Sequence, residues 1–370
     1  MHVLHFFKTY WPDSFGGVER TIHAIASASA RHGVGTTVLS LSRAPQARSV
    51  TFDGHEAPKA RLDLELASTG LSLSAIPALS RAAEKADIVH YHFPWPMMDV
   101  AHFAARHGKP SIVTYHSDVV RQRLLGRFYA PLMHGFLQSV DRIVATSPAY
   151  ARTSPVLRRH GEKVAVVPIG LADIEAADEQ SEAKWRARFP RPFFLFTGVL
   201  RYYKGLQYLL EAAPLVPAEI VIVGAGPMEA ELKAQGEGAG LSNVHFVGAV
   251  DDADKNALLG LCAGFVFPAS ERSEAFGLAL LEASIAGRPL ISTEVGSGTS
   301  YVNADGETGI VVPPRDPQAL AGAMNALLAD PVRAAAFGRA ARLRYEALFT
   351  AERMGAAYAA LYRELAGRRS

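Results

Sequence analysis

The sequence is poor in the features that cross a membrane, cross-link a fold or bind zinc through thiolates. Cys262 is the single cysteine among 370 residues, which excludes an internal disulfide and a multi-cysteine zinc site and fits a reducing cytosol. No uninterrupted apolar run approaches the roughly 18 residues that a membrane span needs. The first eight residues lack a basic start followed by a long apolar core, so we expect no secretory signal and a cytoplasmic protein.

Charged side chains are also few, at 20% of residues against 49% hydrophobic ones, and this balance excludes a disordered chain. Residues 1–170 nevertheless hold nineteen Lys and Arg against twelve Asp and Glu, an excess of +7, whereas the remainder carries −5. The same first part contains twelve of the thirteen histidines. A basic half suits nucleic acid, an anionic membrane surface or a phosphorylated substrate, and random variation of the surface is the alternative.

Short apolar runs alternate with helix-like stretches, and 370 residues exceed what one ordinary core holds. In the first part, strands are predicted at residues 3–7, 36–41, 88–91, 111–115, 142–145 and 163–168. After an acidic linker, strands are predicted at residues 193–197, 220–223, 244–247, 264–267 and 289–293. Helices between successive strands indicate crossover connections and parallel sheets.

We therefore expect an α/β protein of two doubly wound, Rossmann-like domains, at residues 1–170 and 171–349, that face a central cleft. The linker is placed at residues 171–183, and a C-terminal helix at 350–370 is expected to pack back toward the N-terminal domain. Because ligands of open parallel sheets bind at the carboxyl ends of the strands, the candidate residues are sought there.

One segment of the second part places two glutamates on either side of a predicted helix start. Glu274 follows a predicted strand, and Glu282 lies about two turns into the next helix. The amides of Phe276, Gly277 and Leu278 would form the free N-terminus of that helix, which suits a phosphate group. The segment is predicted to hold a diphosphate near two carboxylates that bind hydroxyl groups, and a helix cap with a solvated Glu282 is the alternative.

A basic turn follows the first strand of the same part. Arg201 and Lys204 stand where phosphate charge would be expected, since Arg grips phosphate with two hydrogen bonds and Lys acts as a point charge. A solvated basic loop is the alternative.

The first part offers a glycine turn and a histidine at strand ends. Gly16 and Gly17 precede the first predicted helix and would let the backbone touch a phosphate. His116 follows a predicted strand and would project into the cleft. His90 and His92 share one face of a strand, and packing or contact with an acceptor is favoured over metal binding because no carboxylate or cysteine nearby completes a ligand set.

Two other patterns imitate ligand sites but are interpreted as structural. Gly224 and Gly226 lack the third glycine of a dinucleotide loop, and we expect a tight turn with Pro227 opening the helix. Asp252 and Asp254 are spaced like metal ligands, but helix capping is the favoured interpretation.

Residues 119–140 contain no acidic side chain, while Arg121, Arg123 and Arg127 alternate with large apolar ones. This pattern is typical of a helix on an anionic lipid surface, and an amphipathic helix packed on its own domain is the alternative. Pro131 is expected to break or kink this helix.

Taken together, these segments resemble the retaining glycosyltransferases of family 4, which have the GT-B fold. The resemblance rests on their order along the chain: Gly16-Gly17-Val18-Glu19, His116, Arg201, Lys204-Gly205, and then Glu274 and Glu282 separated by seven residues. Residues 141–147, 167–170, 296–300 and 306–314 also look like family segments, so the resemblance covers nearly the whole chain.

The resemblance implies that the second domain binds a nucleoside-diphosphate sugar, with Glu274 on the sugar hydroxyls and Glu282 on the ribose hydroxyls. The diphosphate would be met by the amides of residues 276–278, and His116 would lie near the sugar and the acceptor. Retention is thought to proceed by attack of the acceptor on the face from which the leaving group departs, without an enzyme nucleophile.

Arg201 and Lys204 would neutralise the diphosphate leaving group, and so neither a metal nor another cofactor is expected. The family more often has its arginine directly after the glycine, where this chain has Val199. Arg201 is taken as the substitute for that arginine.

The motifs look most like bacterial mannosyl- and rhamnosyltransferases of surface polysaccharide or O-antigen assembly. These use a guanosine diphosphate sugar and a polyprenyl-diphosphate-linked or glycan acceptor, which implies peripheral attachment to the inner face of the cytoplasmic membrane. A glucosyl or N-acetylglucosaminyl transferase with a uridine donor is the alternative of the same fold. A non-catalytic nucleotide-sugar-binding protein is the alternative from another class.

Overall fold

The computed structural model describes residues 1–45, 49–66, 69–118 and 123–368, and the side chains of residues 123–127 are also outside the description. The chain divides into two compact units. Unit 1 comprises Met1–Ala172 and Thr350–Ser370, and unit 2 comprises Asp173–Phe349. The expected boundaries at residues 170 and 349 lie beside these divisions.

Unit 1 is built around a mainly parallel sheet whose helices lie between successive long strands. Its strands are β1 (His2–Phe6), β2 (Gly35–Ser42), β3 (Val50–Phe52), β4 (His55–Ala57), β5 (Lys59–Arg61), β6 (Leu64–Leu66), β7 (Thr69–Leu71), β8 (Ile88–Phe93), β9 (Ser111–Tyr115), β10 (Arg142–Ala145) and β11 (Val164–Val166). Its helices in this part of the chain are α1 (Gly17–Ala30), α2 (Ala75–Glu84), α3 (Pro96–Ala105), α4 (Arg123–Ser139), α5 (Pro148–Thr153) and α6 (Pro155–Arg159).

The described strands of unit 1 pair in the order β11-β10-β9-β8-β1-β2-β4-β3, with β5 also paired to β2. The five strands from β11 to β1 and the β1–β2 pair are parallel, as expected for crossover connections. The β3–β4 and β6–β7 pairs are antiparallel and lie among the described residues between positions 43 and 72, a region whose structure the sequence pattern leaves open.

Unit 2 repeats the doubly wound pattern with six described parallel strands in the order β14-β13-β12-β15-β16-β17. The strands are β12 (Phe193–Thr197), β13 (Glu219–Val223), β14 (Val244–Gly248), β15 (Gly264–Phe267), β16 (Leu290–Thr293) and β17 (Gly309–Val312). The helices are α7 (Glu179–Arg188), α8 (Leu206–Ala212), α9 (Glu229–Gly238), α10 (Asp252–Leu261), α11 (Leu278–Ile285), α12 (Thr299–Val302), α13 (Pro317–Ala329) and α14 (Pro331–Leu348).

The C-terminal helix α15 (Ala351–Gly367) belongs to unit 1 and packs along α1. Gly355 permits this approach, because a Cβ there would lie 2.6 Å from the carbonyl carbon of Ala28. Thr350 caps the helix by accepting a hydrogen bond from the backbone amide of Arg353.

The helices α13 and α14 begin with the same local signal, an aspartate followed by proline. Asp316 accepts a hydrogen bond from the amide of Ala319, and Asp330 accepts one from the amide of Arg333. A capping aspartate with proline at the first helical position fixes where both helices begin.

Several local predictions are wrong. The second half of the acidic linker is helix α7, which Asp178 caps and which buries Trp185. Helix α4 continues through Pro131, so the expected break does not occur, and the alternative of a kink stays a prediction. Helix α9 begins at Glu229 rather than at Pro227. Strand β17 was not predicted at all.

None of the described helices combines the length and the apolar composition that a membrane span requires.

Candidate active site

The loops at the carboxyl ends of β12 and β15 are held against each other in unit 2. Gly205 has φ +70°, and a Cβ there would lie 2.0 Å from the carbonyl oxygen of Pro268. The amide of Ser270 donates to the carbonyl of Tyr203 at 2.8 Å. Only glycine permits this approach, and the approach carries Lys204 to the loop that contains Glu274.

Lys204 and Glu274 form an ion pair between the Nζ and Oε2 atoms. Their side chains are 14% and 11% exposed, so the pair is nearly withdrawn from water. The ammonium group also lies 4.5 Å from the centre of the Phe267 ring, the last residue of β15. The predicted basic turn and the first predicted glutamate therefore form one local site.

Helix α11 begins two residues after its predicted start. Gly277 stands at the N-cap with φ +91°, and its carbonyl accepts from the amides of Leu280 and Leu281. The Phe276 side chain is buried. The three expected amides thus span the last turn of the loop and the first residue of the helix, close in sequence to Glu274.

The second predicted glutamate has a partner that the sequence analysis did not identify. Lys255 of α10 forms ion pairs with Glu282 at 3.0 Å and with Asp252 at 2.9 Å. Burial alone would lower the pKa of Lys255, but the two carboxylates outweigh burial and the pKa is raised. Glu282 is therefore held by a cation from a neighbouring helix, and the sequence pattern did not reveal this contact because its two partners lie 27 positions apart.

Arg201 differs from Lys204 in its surroundings. It is exposed and stands at the N-cap of a short 3₁₀ turn, Tyr202–Lys204. It makes no ion pair within the described residues. The structure therefore brings Lys204, but not Arg201, to Glu274.

The glycines of residues 224–226 serve the packing of two loops. A Cβ on Gly224 would lie 2.0 Å from the carbonyl oxygen of Gly198, and one on Gly226 would lie 2.5 Å from that of Leu200. The amide of Leu200 also donates to the carbonyl of Ala225. These contacts favour the structural interpretation over a dinucleotide loop.

The acidic residues at the start of α10 have separate partners. The cap is Asp251, which accepts from the amide of Asp254, so the predicted capping by Asp252 and Asp254 is wrong. Asp254 instead accepts hydrogen bonds from Lys184 and from the indole of Trp185, and it ties α7 to α10. Asp252 pairs with Lys255.

In unit 1, Gly16 and Gly17 stand at the start of α1 as predicted, with Gly16 at the N-cap. Glu19, in the first turn of the helix, is buried and accepts hydrogen bonds from Thr9 at 2.6 Å and Ser14 at 3.0 Å. A Cβ on Gly16 would lie 3.1 Å from the Glu19 carboxylate, so glycine is also favoured by this contact. Glu19 thus fastens the loop that leads into the glycine turn.

His116 directly follows β9, and its backbone amide donates to the carbonyl of Phe93 at 3.0 Å. Burial lowers the pKa of its imidazole to about 3, so the ring is neutral near pH 7. One ring nitrogen bonds to His92, which with His5 and His90 forms a buried cluster. The ligand atoms of His5, His90 and His92 lie within 4.8 Å of one another, a spacing that would suit a metal.

Hydrogen bonds account for both ring nitrogens of His90 and of His92. Metal binding would have to replace those bonds, so the geometry favours hydrogen-bonded packing. His5 and His92 are bonded to each other in this network. The alternating positions 90 and 92 indicated a shared strand face, but they did not indicate the contact with His5.

Chemically, unit 2 offers a cation beside a carboxylate, with a glycine-led helix start next to them in the chain. Such a set suits a ligand that carries both phosphate and hydroxyl groups, because ammonium and amide groups bind phosphate and carboxylates accept from hydroxyls. Unit 1 offers a neutral imidazole at a strand end.

Two protein-family models match the chain: one described as "Glycosyltransferase Family 4" over residues 15–173, and one described as "Glycosyl transferases group 1" over residues 178–344. The D-rhamnosyltransferase WbpZ of Pseudomonas aeruginosa is 52% identical over 354 residues, which cover 95% of this chain and 93% of that protein. This chain belongs to glycosyltransferase family 4.

A second relative of the glycosyltransferase is the O-antigen chain mannosyltransferase C of Escherichia coli, which is 44% identical over 99% of each chain. Among solved structures, the sucrose-phosphate synthase of Thermosynechococcus elongatus has a TM-score of 0.83 and covers 99% of each chain. At 22% identity this likeness shows the fold alone. The predicted family, its GT-B fold of two Rossmann-like domains and the assignment as a transferase are confirmed.

Proposed function

We propose that this glycosyltransferase moves mannose or D-rhamnose, with retention of configuration, from a guanosine diphosphate sugar to a lipid-linked or glycan acceptor of O-antigen-type polysaccharide. The names of the two relatives support the sugar class and the polysaccharide. The observation that carries the proposal is the nearly buried Lys204–Glu274 ion pair, close in sequence to the start of α11.

In this proposal Glu274 accepts hydrogen bonds from the donor sugar, and Glu282 accepts from the ribose. Lys204 has three N–H donors, so that it reaches the diphosphate while it stays bonded to Glu274. Exposed Arg201 adds charge at the mouth of the site, and His116 acts on the sugar or on the acceptor hydroxyl. Gly16 and Gly17 supply backbone close to the donor phosphate.

We further propose that transfer needs no metal ion. The carboxylates of Asp252 and Asp254 already have lysine partners, and Lys204 with the amides of residues 276–278 meets the charge that develops on the leaving group. Electrostatic stabilisation of this kind needs no bound cation.

The test begins with thermal shifts of the purified protein by GDP, UDP and ADP in the presence of EDTA. We expect GDP to stabilise it most, and transfer of mannose or rhamnose from the GDP sugar to persist in EDTA. Preference for UDP and its glucose or N-acetylglucosamine sugar would replace the guanosine proposal. Activity lost in EDTA and restored by magnesium would overturn metal independence.

Lys204→Ala should weaken GDP binding by about 1.5–3 kcal/mol, the range for a hydrogen bond to a charged group. Lys233→Ala is the matched control, because Lys233 pairs with Glu229 on the exposed face of α9 in the same unit. Equal GDP affinity in the two variants would place the donor elsewhere.

We also propose that unit 1 docks on an anionic membrane surface, where a lipid-linked acceptor is met. The exposed fractions are 42% for Val100, 43% for Phe103 and 87% for Phe128, and a shallow depression open to solvent is lined by Val100, Phe103, Ala104, Arg106 and Leu132. This apolar surface of α3 and α4 supports insertion among lipid headgroups, and the charge of +7 over residues 1–170 supports attraction to anionic lipid. Arg121 and the side chains of Arg123 and Arg127, which the sequence analysis assigned to lipid contact, lie outside the described residues.

Liposome co-sedimentation tests this surface. We expect binding to anionic vesicles that falls as salt rises, and weaker binding when Arg121, Arg123 and Arg127 are changed to Glu. Charge reversal at the exposed residues Arg31, Arg43 and Arg61 is the matched control. Equal losses in the two triple variants, or equal binding to neutral vesicles, would assign α4 to packing within its own unit.

A further inference from the structure

Four histidine rings lie together in unit 1 at the carboxyl ends of three neighbouring strands. In the sheet register His5 of β1 is directly opposite His90 of β8, and His92 is opposite Thr114 of β9. The ring centroids are 4.6 Å apart for His5 and His90, 4.4 Å for His90 and His92, and 5.2 Å for His92 and His116. The cluster is almost completely buried.

Three of these rings form a continuous chain of hydrogen bonds. His5 Nδ1 lies 2.9 Å from His92 Nε2, and His92 Nδ1 lies 3.0 Å from His116 Nε2. His92 therefore uses both of its ring nitrogens, and the free ring position of His116 is Nδ1. At the far end of the chain, His5 Nε2 is buried with no hydrogen-bond partner among the described residues.

A neutral imidazole has one N–H donor and one lone-pair acceptor. Burial lowers the pKa of all three rings, and it lowers those of His5 and His116 to about 3, so each ring carries one proton near pH 7. Because His92 has a single proton to share between two contacts, both hydrogen bonds must point the same way along the chain. Either all three rings are protonated on Nδ1 or all three are protonated on Nε2.

We propose that His92, oriented by His5, is a positioning residue that fixes the ring plane and the tautomer of His116. The tautomer decides whether His116 Nδ1 presents a donor or an acceptor to the substrate, since the second contact of a histidine determines which nitrogen holds the proton. This inference rests on the proposed role of His116. His90 has a different role in the same cluster, because its nitrogens bond to Tyr362 and Thr114 and not to His116.

The first test measures the tautomers directly by nitrogen and carbon NMR of protein labelled at histidine. Variants in which one histidine at a time is replaced assign the signals. We expect His5, His92 and His116 to share one tautomer, whichever it is. Different tautomers among these three histidines would overturn the proposed chain of hydrogen bonds. A stoichiometric metal ion in the purified protein that is lost in His90→Leu would also overturn it, because the rings would then be ligands.

The second test uses two amide side chains of different length at position 92. The amide of Asn lies near the place of Nδ1, which faces His116, whereas the longer amide of Gln lies near the place of Nε2, which faces His5. His92→Asn should keep most of kcat, and His92→Gln and His92→Leu should each lower kcat about tenfold with little change in GDP affinity. Equal loss in Asn and Gln variants would indicate packing alone.

The closing test repeats His92→Leu in a His116→Ala background. If His92 acts through His116, His92→Leu should lower kcat no further there, while His90→Leu should leave kcat per folded molecule unchanged in either background. A second loss of about tenfold in the double variant would overturn the positioning role. Full activity of His116→Ala alone would instead refute the proposed role of His116, and the shared tautomer would still be measurable.

Discussion

The two units place polar side chains at the carboxyl ends of parallel strands, but they stabilise those side chains in opposite ways. In unit 1, the ends of β1, β8 and β9 carry imidazoles that are neutral and bonded to one another. In unit 2, the loops after β12 and β15 carry Lys204 and Glu274, which are paired as opposite charges. The comparison shows that the same doubly wound fold can bury polar side chains either as neutral, hydrogen-bonded rings or as an ion pair.

The physical cause lies in what each group loses on burial. An imidazole can give up its proton near neutral pH and enter the core without charge, and burial lowers the pKa of His5 to about 3 accordingly. A lysine enters a site as a cation only beside carboxylates, as Lys255 does between Glu282 and Asp252. The buried polar side chains of unit 1 are therefore stabilised by hydrogen bonds of matched direction, and those of unit 2 are stabilised by balanced charges.

The largest expected effect is on turnover when the charge balance of unit 2 is broken. Glu274→Ala should lower kcat roughly 100-fold, the order found when one contact that stabilises a transition state is removed. It also leaves the Lys204 ammonium poorly exposed and without its partner. Steady-state transfer assays and thermal unfolding measure the two losses separately.

The double variant Lys204→Met with Glu274→Ala sharpens this result. It removes both charges, so it should recover the thermal stability that Glu274→Ala loses while transfer stays abolished. Glu229→Ala, which breaks the exposed pair with Lys233, should alter neither quantity. Parent-level transfer by Glu274→Ala would mean that the pair is structural.

An intermediate effect is expected when acid acts on the neutral cluster of unit 1. The unfolded histidines bind protons below a pH of about 6.5, whereas in the native state burial lowers the pKa of His5 and of His116 to about 3. The unfolded state thus binds more protons between these values, and the free energy of unfolding falls as pH falls. Each buried ring contributes a slope of about 1.4 kcal/mol per pH unit.

Hydrogen exchange followed by mass spectrometry measures the loss of stability separately in each unit, once exchange rates are corrected for the intrinsic effect of pH. Between pH 6.5 and 5, protection should fall in β1, β8 and β9 and stay nearly constant in β12 and β15. His90→Leu should reduce the dependence on pH in unit 1, because it removes another ring whose pKa burial lowers. Equal loss of protection in both sheets would contradict the contrast between the units.

The smallest effect is expected from the cation that holds Glu282. Lys255→Met leaves that carboxylate without its 3.0 Å partner but does not remove it. If Glu282 binds the ribose, GDP should bind about tenfold more weakly, which corresponds to 1.4 kcal/mol. Calorimetric titration with GDP, and with free inorganic diphosphate as the control ligand, separates a ribose effect from a general loss of charge.

The sequence predicted most strands of the two main sheets well because their apolar runs are local signals. Strands β9, β10, β12 and β15 have the predicted bounds, and the C-terminal helix that was expected at residues 350–370 is α15, Ala351–Gly367. Helix α7 was missed because it is polar on nearly all sides and buries a single tryptophan, Trp185, so no apolar stripe marks it.

Other features depended on contacts that no local pattern contains. Strand β17 begins at Gly309, where a Cβ would meet the backbone of Leu290, so its place in the sheet depends on a close approach to β16 that its own sequence does not show. Lys255 lies in an ordinary helix, and only the packing of α10 near α11 turns it into the partner of Glu282. The chain from His5 to His116 required the order of strands in the sheet, which single-strand periodicity does not provide.

The return of α15 to unit 1 has a consequence for how the protein is made. Tyr362 and Tyr358 of this helix bond to His90 and Thr114 at 2.7 and 2.8 Å, so α15 supplies partners inside the first sheet. A ribosome synthesises β1 before unit 2 and α15 after it, so the whole of unit 2 lies between them in the order of synthesis. Unit 2 can therefore finish folding on the ribosome while the sheet of unit 1, which is translated before it, still lacks its covering helix.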